Sequence, residues 1–173
     1  YDVLCLHPNY HQKSPHPSHL MIDSPLIKKL KPKVCIINAA RGKIVDEAAI
    51  LSSKFKGYYC TDVYWHEPEI NPEIVDKALL CTPHIAGHTQ EAKERITAML
   101  SEKIHQHLNL PLPSAHSLDN KNIELPFLGW EAQAIKLYDP YPETLSLKQN
   151  SSKQHFLELR RAHTFRHDFP WCP

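Results

Sequence analysis

Four short apolar runs punctuate the first half of the chain: residues 2–6 (Asp-Val-Leu-Cys-Leu), 34–38 (Val-Cys-Ile-Ile-Asn), 58–63 (Tyr-Tyr-Cys-Thr-Asp-Val) and 79–82 (Leu-Leu-Cys-Thr). They are continuous rather than alternating, the pattern of strands in a parallel sheet covered on both faces. Helix starts fall between them. Ser24 can cap a short helix with Pro25 in its first turn, Asp46 can cap one running through Leu51, and Asn71-Pro72 begins another. From Thr89 to about His107 the spacing changes to that of a long helix, with Ala92, Ile96, Met99, Leu100 and Ile104 on one face. Strand and helix therefore alternate, which predicts an α/β unit.

The pattern then breaks. Leu110-Pro-Leu-Pro-Ser-Ala reads as a linker. Beyond it, Glu131 to Tyr138 is helical in pattern, Asp139-Pro-Tyr-Pro interrupts it, and Ser152 to about Arg161 is helical again. The aromatic end, Phe165 to Pro173, suits an edge strand or an extended arm. Trp130, Tyr138, Tyr141, Phe156, Phe165, Phe169 and Trp171 suffice for a small core and could also supply a partner face. The expected organisation is 1–88 as part of a sheet domain, 89–115 as a long helix and linker, and 116–173 as a small α+β domain.

Composition narrows the function. A net charge of +1 gives no field for nucleic acid or an anionic membrane, and no apolar run approaches a bilayer span. With no secretory leader visible, a cytoplasmic protein is expected. The chain opens within a strand-like run, which reads as the later portion of a longer polypeptide. Five cysteines, four of them in apolar runs and none in a Cys-x-x-Cys motif, suggest buried reduced thiols. The four glycines (Gly42, Gly57, Gly87, Gly129) are isolated, so the chain contains no Gly-x-Gly-x-x-Gly turn and no Walker loop. Thirteen histidines invite a metal reading, but His84 and His88 are flanked by Pro83 and Gly87, which disfavour the helical face a zinc pair needs. No metal is expected.

Three polar residues follow strand-like runs and carry the chemistry: Arg41 in Asn-Ala-Ala-Arg-Gly, Glu67 in Asp-Val-Tyr-Trp-His-Glu-Pro-Glu, and His84 in Thr-Pro-His-Ile-Ala-Gly. Strand ends of one parallel sheet would place a cation, a carboxylate and an imidazole where open α/β sheets bind ligands. A guanidinium clamps a carboxylate through paired hydrogen bonds. An imidazole exchanges a proton near neutral pH, and a carboxylate orients it and stabilises its charged form. These are the parts needed to oxidise an alcohol beside a carboxylate. The plainer readings are an arginine at the sheet edge, an acid in an acidic loop beside Glu69 and Glu73, and a hydrogen-bonded histidine at a strand end.

The three segments, Leu30 to Asp46, Thr61 to Glu69 and Thr82 to Gly87, resemble in order and spacing the signatures of NAD-dependent D-2-hydroxyacid dehydrogenases. The resemblance implies a partial Rossmann-like sheet, NAD as cofactor, and a site of Arg41 as carboxylate clamp, His84 as general base and Glu67 as its support. It further implies that Asp62 contacts the nicotinamide side of NAD, where the plainer role is a turn cap. Ala39, Ala40, Arg41 and Gly87 would also meet the cofactor, and His88 would lie close to the substrate. The tail, through Leu-Glu-Leu-Arg-Arg-Ala-His, is similar to an extra C-terminal dimerisation domain found in a branch that acts on a phosphorylated hydroxy acid, so a homodimer is expected. A sister activity on another 2-hydroxy acid, of the phosphoglycerate or glyoxylate/hydroxypyruvate type, and an inactive piece that only dimerises stay open.

Overall fold

The structure is a computed structural model that describes residues 2–52, 54–113, 129–164 and 166–168. Its centre is a four-stranded parallel sheet in the order β1-β2-β3-β4, with β1 at Val3–Leu6, β2 at Cys35–Asn38, β3 at Tyr58–Thr61 and β4 at Leu80–Cys81. The register pairs Leu6 with Asn38, Asn38 with Thr61, and Thr61 with Cys81. All four strands therefore end at the same rim, and the residues following each end share that rim.

The connections run through α1 (Ser24–Ile27), α2 (Glu47–Leu51) and α3 (Pro72–Lys77). Side-chain caps start each of them. Asp46 accepts the Ala48 amide at 3.0 Å and Asn71 that of Glu73 at 3.0 Å, as their sequence positions predict. At α1 the cap is Asp23, which accepts the Leu26 amide at 2.9 Å, and Ser24 is the first helical residue. The carboxylate one residue earlier takes the orphan amide that the Ser24 hydroxyl was expected to take.

One expectation about the sheet fails. Its two faces are unequally covered. Leu6, Ile36, Asn38, Tyr59, Thr61 and Cys81 are buried, whereas Val3 and Tyr58 are 53% and 48% exposed and Cys35, Ile37, Cys60 and Leu80 are half-buried. The buried face packs with Ile27, Ala49, Ile50, Ile74 and Val75 from the helices. Continuous apolar runs tell that a strand can be covered on both sides, and not which side the helices take. The same asymmetry corrects the thiols: Cys5 is exposed, Cys35 and Cys60 are half-buried, and Cys81 alone of the four described cysteines is buried, all of them unpaired. Burial pushes the Cys60 and Cys81 thiols up to about 11.

The chain divides into two compact units, residues 1–86 with 140–163, and residues 87–139 with 164–173. This differs from the expected domain 116–173, because residues 140–163 fold against the sheet. They form α6 (Tyr141–Gln149) and α7 (Lys153–Ala162), the latter capped by Ser152. Leu147 and Phe156 enter the core, and Phe156 meets Tyr64 edge-on at 5.8 Å. The Thr144 hydroxyl accepts the Cys81 amide at 3.0 Å and lies 3.0 Å from the Cys81 carbonyl and 2.9 Å from that of Pro140, one of which takes its proton. Lys148 donates to the carbonyls of Asp76 and Ala78 at the end of α3. Helix α6 was hidden in the sequence because Asp139-Pro-Tyr-Pro reads as a break, yet Pro142 sits in the first turn, where a missing N–H costs nothing.

In the second unit, α4 (Gln90–His107) starts at Thr89, which accepts the Ala92 amide at 3.1 Å, and α5 spans Trp130–Leu137. The apolar stripe predicted along α4 exists but is not buried: Ile96 and Met99 are 64% and 57% exposed. Residues 166–168 lie beside the start of α4. Arg166 bridges Thr89 and its carbonyl accepts the Gln90 amide at 3.0 Å; Glu91 binds the His167 ring at 2.6 Å and the Asp168 amide at 2.9 Å. The expected edge strand or arm at 165–173 otherwise lies outside the described residues, as do Ser114 and Ala115 of the linker and residues 116–128 of the tail domain. No helix among the described residues is long and apolar enough to cross a membrane.

Candidate active site

The rim loops after β2, β3 and β4 are each built by a buried polar residue at or just after the strand end. After β2, Asn38 is fully buried. Its side-chain amide donates to the Arg41 carbonyl at 3.0 Å and its side-chain oxygen accepts the Ala40 amide at 3.2 Å. This closes the Ala39–Arg41 turn and delivers Arg41 to the rim, where it is exposed. One guanidinium nitrogen donates to the Ala40 carbonyl at 2.6 Å. The other guanidinium donors meet no partner among the described residues, so the fork keeps its capacity for a carboxylate. Gly42 follows for a steric reason: a methyl group there would overlap the Tyr64 carbonyl, so the β2 and β3 loops touch backbone to backbone.

After β3, Tyr64 to Glu67 form a turn closed by the Glu67 carboxylate. One oxygen accepts the Tyr64 amide at 2.7 Å, and the other accepts from His84 Nδ1 at 2.6 Å. Both side chains are mostly covered, His84 30% and Glu67 20% exposed. A carboxylate on Nδ1 selects the tautomer that carries its proton there and leaves Nε2 as the basic atom. Nε2 has no partner among the described residues.

The His84 loop rests on Asp62. Asp62 is buried and accepts three hydrogen bonds, from the Thr82 hydroxyl at 2.6 Å, the Ile85 amide at 2.7 Å and the Ala86 amide at 2.9 Å. Between those anchors His84 sits at φ 56°, in the left-handed region that L residues adopt at a cost of roughly 1–2 kcal/mol. The three bonds offset that strain and aim the ring at Glu67. Tyr64 adds a fourth tie, its hydroxyl donating to the Thr82 carbonyl at 3.0 Å. Burial pushes the Asp62 carboxyl above its ordinary value, with the hydrogen bonds from Thr82, Ala86 and Ile85 partly offsetting it. By family resemblance Asp62 is a cofactor contact, with a turn cap as the alternative. The structure shows the turn-holding role directly.

Arg41, Glu67 and His84 thus stand on loops of one rim of one compact unit, with Glu67 and His84 in direct contact. Ala39 is exposed and Ala40 buried on the Arg41 turn. Gly87 and His88 belong to the second unit, where Gly87 is exposed and a methyl group on it would meet nothing within 4 Å. Sequence reading missed Asn38, Tyr64, Thr82 and Glu47 as builders of the site. The available signal was a polar residue closing an apolar run, as Asn38 and Thr82 do. A cleft of about 470 Å³ is lined by Asn9, His11, Lys13, Ser14, Pro15 and His16 in the β1–α1 loop, and none of the three rim residues lines it. Among the described residues no three His, Cys, Asp or Glu side chains gather as metal ligands would.

Residues 2–86 match the family described as D-isomer specific 2-hydroxyacid dehydrogenase, NAD binding domain. The chain is 45% identical over 174 residues to an erythronate-4-phosphate dehydrogenase of Legionella pneumophila, with 97% of this chain and 48% of that protein covered. It is 30% identical over 179 residues to the enzyme of the same name from Coxiella burnetii, again covering 97% of this chain and 48% of the relative. The chain therefore spans about half the length of the curated relatives it matches. Among solved structures, a D-lactate dehydrogenase from Aquifex aeolicus complexed with NAD and lactic acid superposes with a TM-score of 0.50 at 26% identity, covering 62% of this chain and 37% of that one.

Proposed function

We propose that this chain, whose residues 2–86 match the D-isomer specific 2-hydroxyacid dehydrogenase family, carries the acid–base half of an NAD-dependent erythronate-4-phosphate dehydrogenase. The reaction is oxidation of 4-phospho-D-erythronate at C2 to 3-hydroxy-2-oxo-4-phosphobutanoate, a step of pyridoxal-phosphate synthesis. The observation that carries the reading is the Glu67–His84 pair, 2.6 Å apart, with Nε2 and every Arg41 donor but the one bound to the Ala40 carbonyl uncommitted among the described residues.

The residues divide the work by their chemistry. Arg41 holds the substrate carboxylate, and with it the adjacent C2, by paired charge-assisted hydrogen bonds. His84 Nε2 removes the C2 hydroxyl proton. Glu67, already bonded to Nδ1, stabilises the positive ring that results, and such acid–base groups contribute roughly a hundred- to ten-thousandfold in rate. Asp62 and Tyr64 keep the ring in its left-handed backbone setting. NAD, when bound, supplies the acceptor for the hydrogen and electron pair that leave C2. The residues present suit the nicotinamide end of that cofactor: a parallel-sheet rim with Ala39 and Ala40 on the Arg41 turn and Asp62 holding the His84 loop. They include no glycine-rich turn for its pyrophosphate. Gly87 as a cofactor contact, His88 as a contact to the substrate phosphate, and a homodimer built through the C-terminal region are further proposals from the family resemblance.

The test is NADH formation from 4-phospho-D-erythronate, with D-lactate and D-3-phosphoglycerate as rivals, in wild type, Arg41→Lys and His84→Asn. The expected result is preference for the four-carbon phosphate and loss in both variants. A preference for either rival would replace the substrate. Undiminished turnover in His84→Asn would remove the mechanism.

A further inference from the structure

Glu47 is a buried acid that the reaction above does not use. It lies in the first turn of α2, where an acidic side chain ordinarily reaches into solvent and gains from the helix dipole. Here it is only 8% exposed, and one carboxylate oxygen instead accepts the Trp65 amide at 3.1 Å, from a segment 18 residues away. Burial pushes its carboxyl above the ordinary value, partly offset by that hydrogen bond, so the placement is costly.

Two other contacts join the same pair of segments. The Trp65 indole donates to the Val45 carbonyl at 2.6 Å, and Gly42 presses on the Tyr64 carbonyl so closely that no side chain fits. The stretch from Gly42 to Glu47 therefore grips Tyr64–Trp65 at three points. Arg41 is the residue just before that stretch. The Tyr64 amide, inside the gripped segment, is the group that fixes one oxygen of Glu67, whose other oxygen holds His84. A continuous set of direct contacts thus runs from the arginine loop to the imidazole.

We propose that Glu47 is a positioning residue: by holding the Trp65 amide it locks the Tyr64–Glu67 turn onto the Arg41 loop and so fixes the tautomer and placement of His84 relative to the guanidinium. The catalytic consequence rests on the dehydrogenase reading, whereas the structural consequence does not. A hydrogen-bond acceptor is what the lock needs, and the negative charge is incidental to it.

The experiment is nitrogen-detected NMR of the His84 ring in wild type, Glu47→Gln, Glu47→Ala and Trp65→Phe, with Glu67→Gln as the control for a lost partner. Wild type is expected to show the Nδ1-protonated tautomer. Glu47→Gln keeps a carbonyl facing the Trp65 amide and is expected to retain that tautomer. Glu47→Ala is expected to give a mixture approaching that of Glu67→Gln, and Trp65→Phe, which keeps the backbone amide and loses the indole bond, a smaller shift in the same direction. A wild-type ring in Glu47→Ala overturns the proposal, as does a Glu47→Gln ring as disturbed as that of Glu47→Ala, because charge would then be the cause. If Glu47→Ala does not fold, Trp65→Phe and Glu47→Gln decide the matter. In turnover, Glu47→Ala is expected to lower kcat by roughly ten- to a hundredfold, more than it changes KM. Absence of any turnover in wild type would count against the dehydrogenase reading and leave the ring measurement standing.

Discussion

Two glutamate–histidine pairs in this chain are nearly identical as pairs. Glu67–His84 and Glu91–His167 both bring Nδ1 within 2.6 Å of a carboxylate oxygen, with exposures of 30% and 20% in the first and 31% and 19% in the second. Their surroundings differ. The first stands at the ends of parallel strands, with its histidine in a left-handed setting braced by Asp62, its glutamate fixed by Tyr64, and a cation on the neighbouring loop. The second ties the segment 166–168 to the opening of a helix, and its glutamate also accepts a backbone amide. A carboxylate–imidazole pair is thus a common fastener. On the proposed reading it becomes an acid–base device where rigid supports and a neighbouring cation accompany it.

The sharpest way to break that contrast is kinetic. His84→Asn is expected to cut turnover by roughly a hundred- to ten-thousandfold, while His167→Asn leaves it unchanged in the same assay. Equal losses would mean that the supports do not distinguish the pairs. The supports themselves come next. Asp62→Asn turns an amide group toward backbone donors in a buried place and should cost roughly 1–3 kcal/mol in chemical denaturation at neutral pH. Glu91→Gln, nearer solvent, should cost roughly 1 kcal/mol or less.

The smallest effect is in pH, and it has opposite signs in the two units. Burial raises Glu47 and Asp62, so their contribution to stability is full below the ordinary carboxylate range and is lost as pH rises through their raised values. The melting temperature of wild type relative to Glu47→Gln should therefore fall across that window. Burial also pushes Glu91 upward, but hydrogen bonds from His167, the Asp168 amide and its own amide outweigh it and leave the carboxyl lowered. Its contribution is present above the ordinary glutamate value and is lost as pH falls through the lowered one. Faster exchange of the Asp168 amide in acid, corrected for the intrinsic rate, would show it.

Much of the sheet was legible because its signals are local. Unbroken apolar runs mark β1 to β4, Asp46 and Asn71 cap helices where their positions predict, and the long helix begins at Thr89 as its spacing predicts. Arg41, Glu67 and His84 were legible because each follows a strand at a spacing that sets it on the rim. What was not legible depends on partners far along the chain. Nothing local to Glu47 announces Trp65, and nothing in the β1 run tells which face of Val3 and Cys5 the helices leave open. The stripe along α4 predicts an amphipathic helix correctly, while its burial depends on what packs there. Pro140 and Pro142 disguised α6, since the same residue type stops a helix in its interior and begins one in its first turn.

The Thr144 hydroxyl has a consequence for how this molecule behaves at high concentration. A bare outermost strand invites a stranger to zip alongside it, and repeated zipping makes fibres. At Cys81 a single side chain from α6 has already taken the amide and stands against the carbonyl, so that this position of the border offers no free pair of groups for recruitment. Small and unreactive as it is, this hydroxyl closes one point of the β4 border to polymer growth.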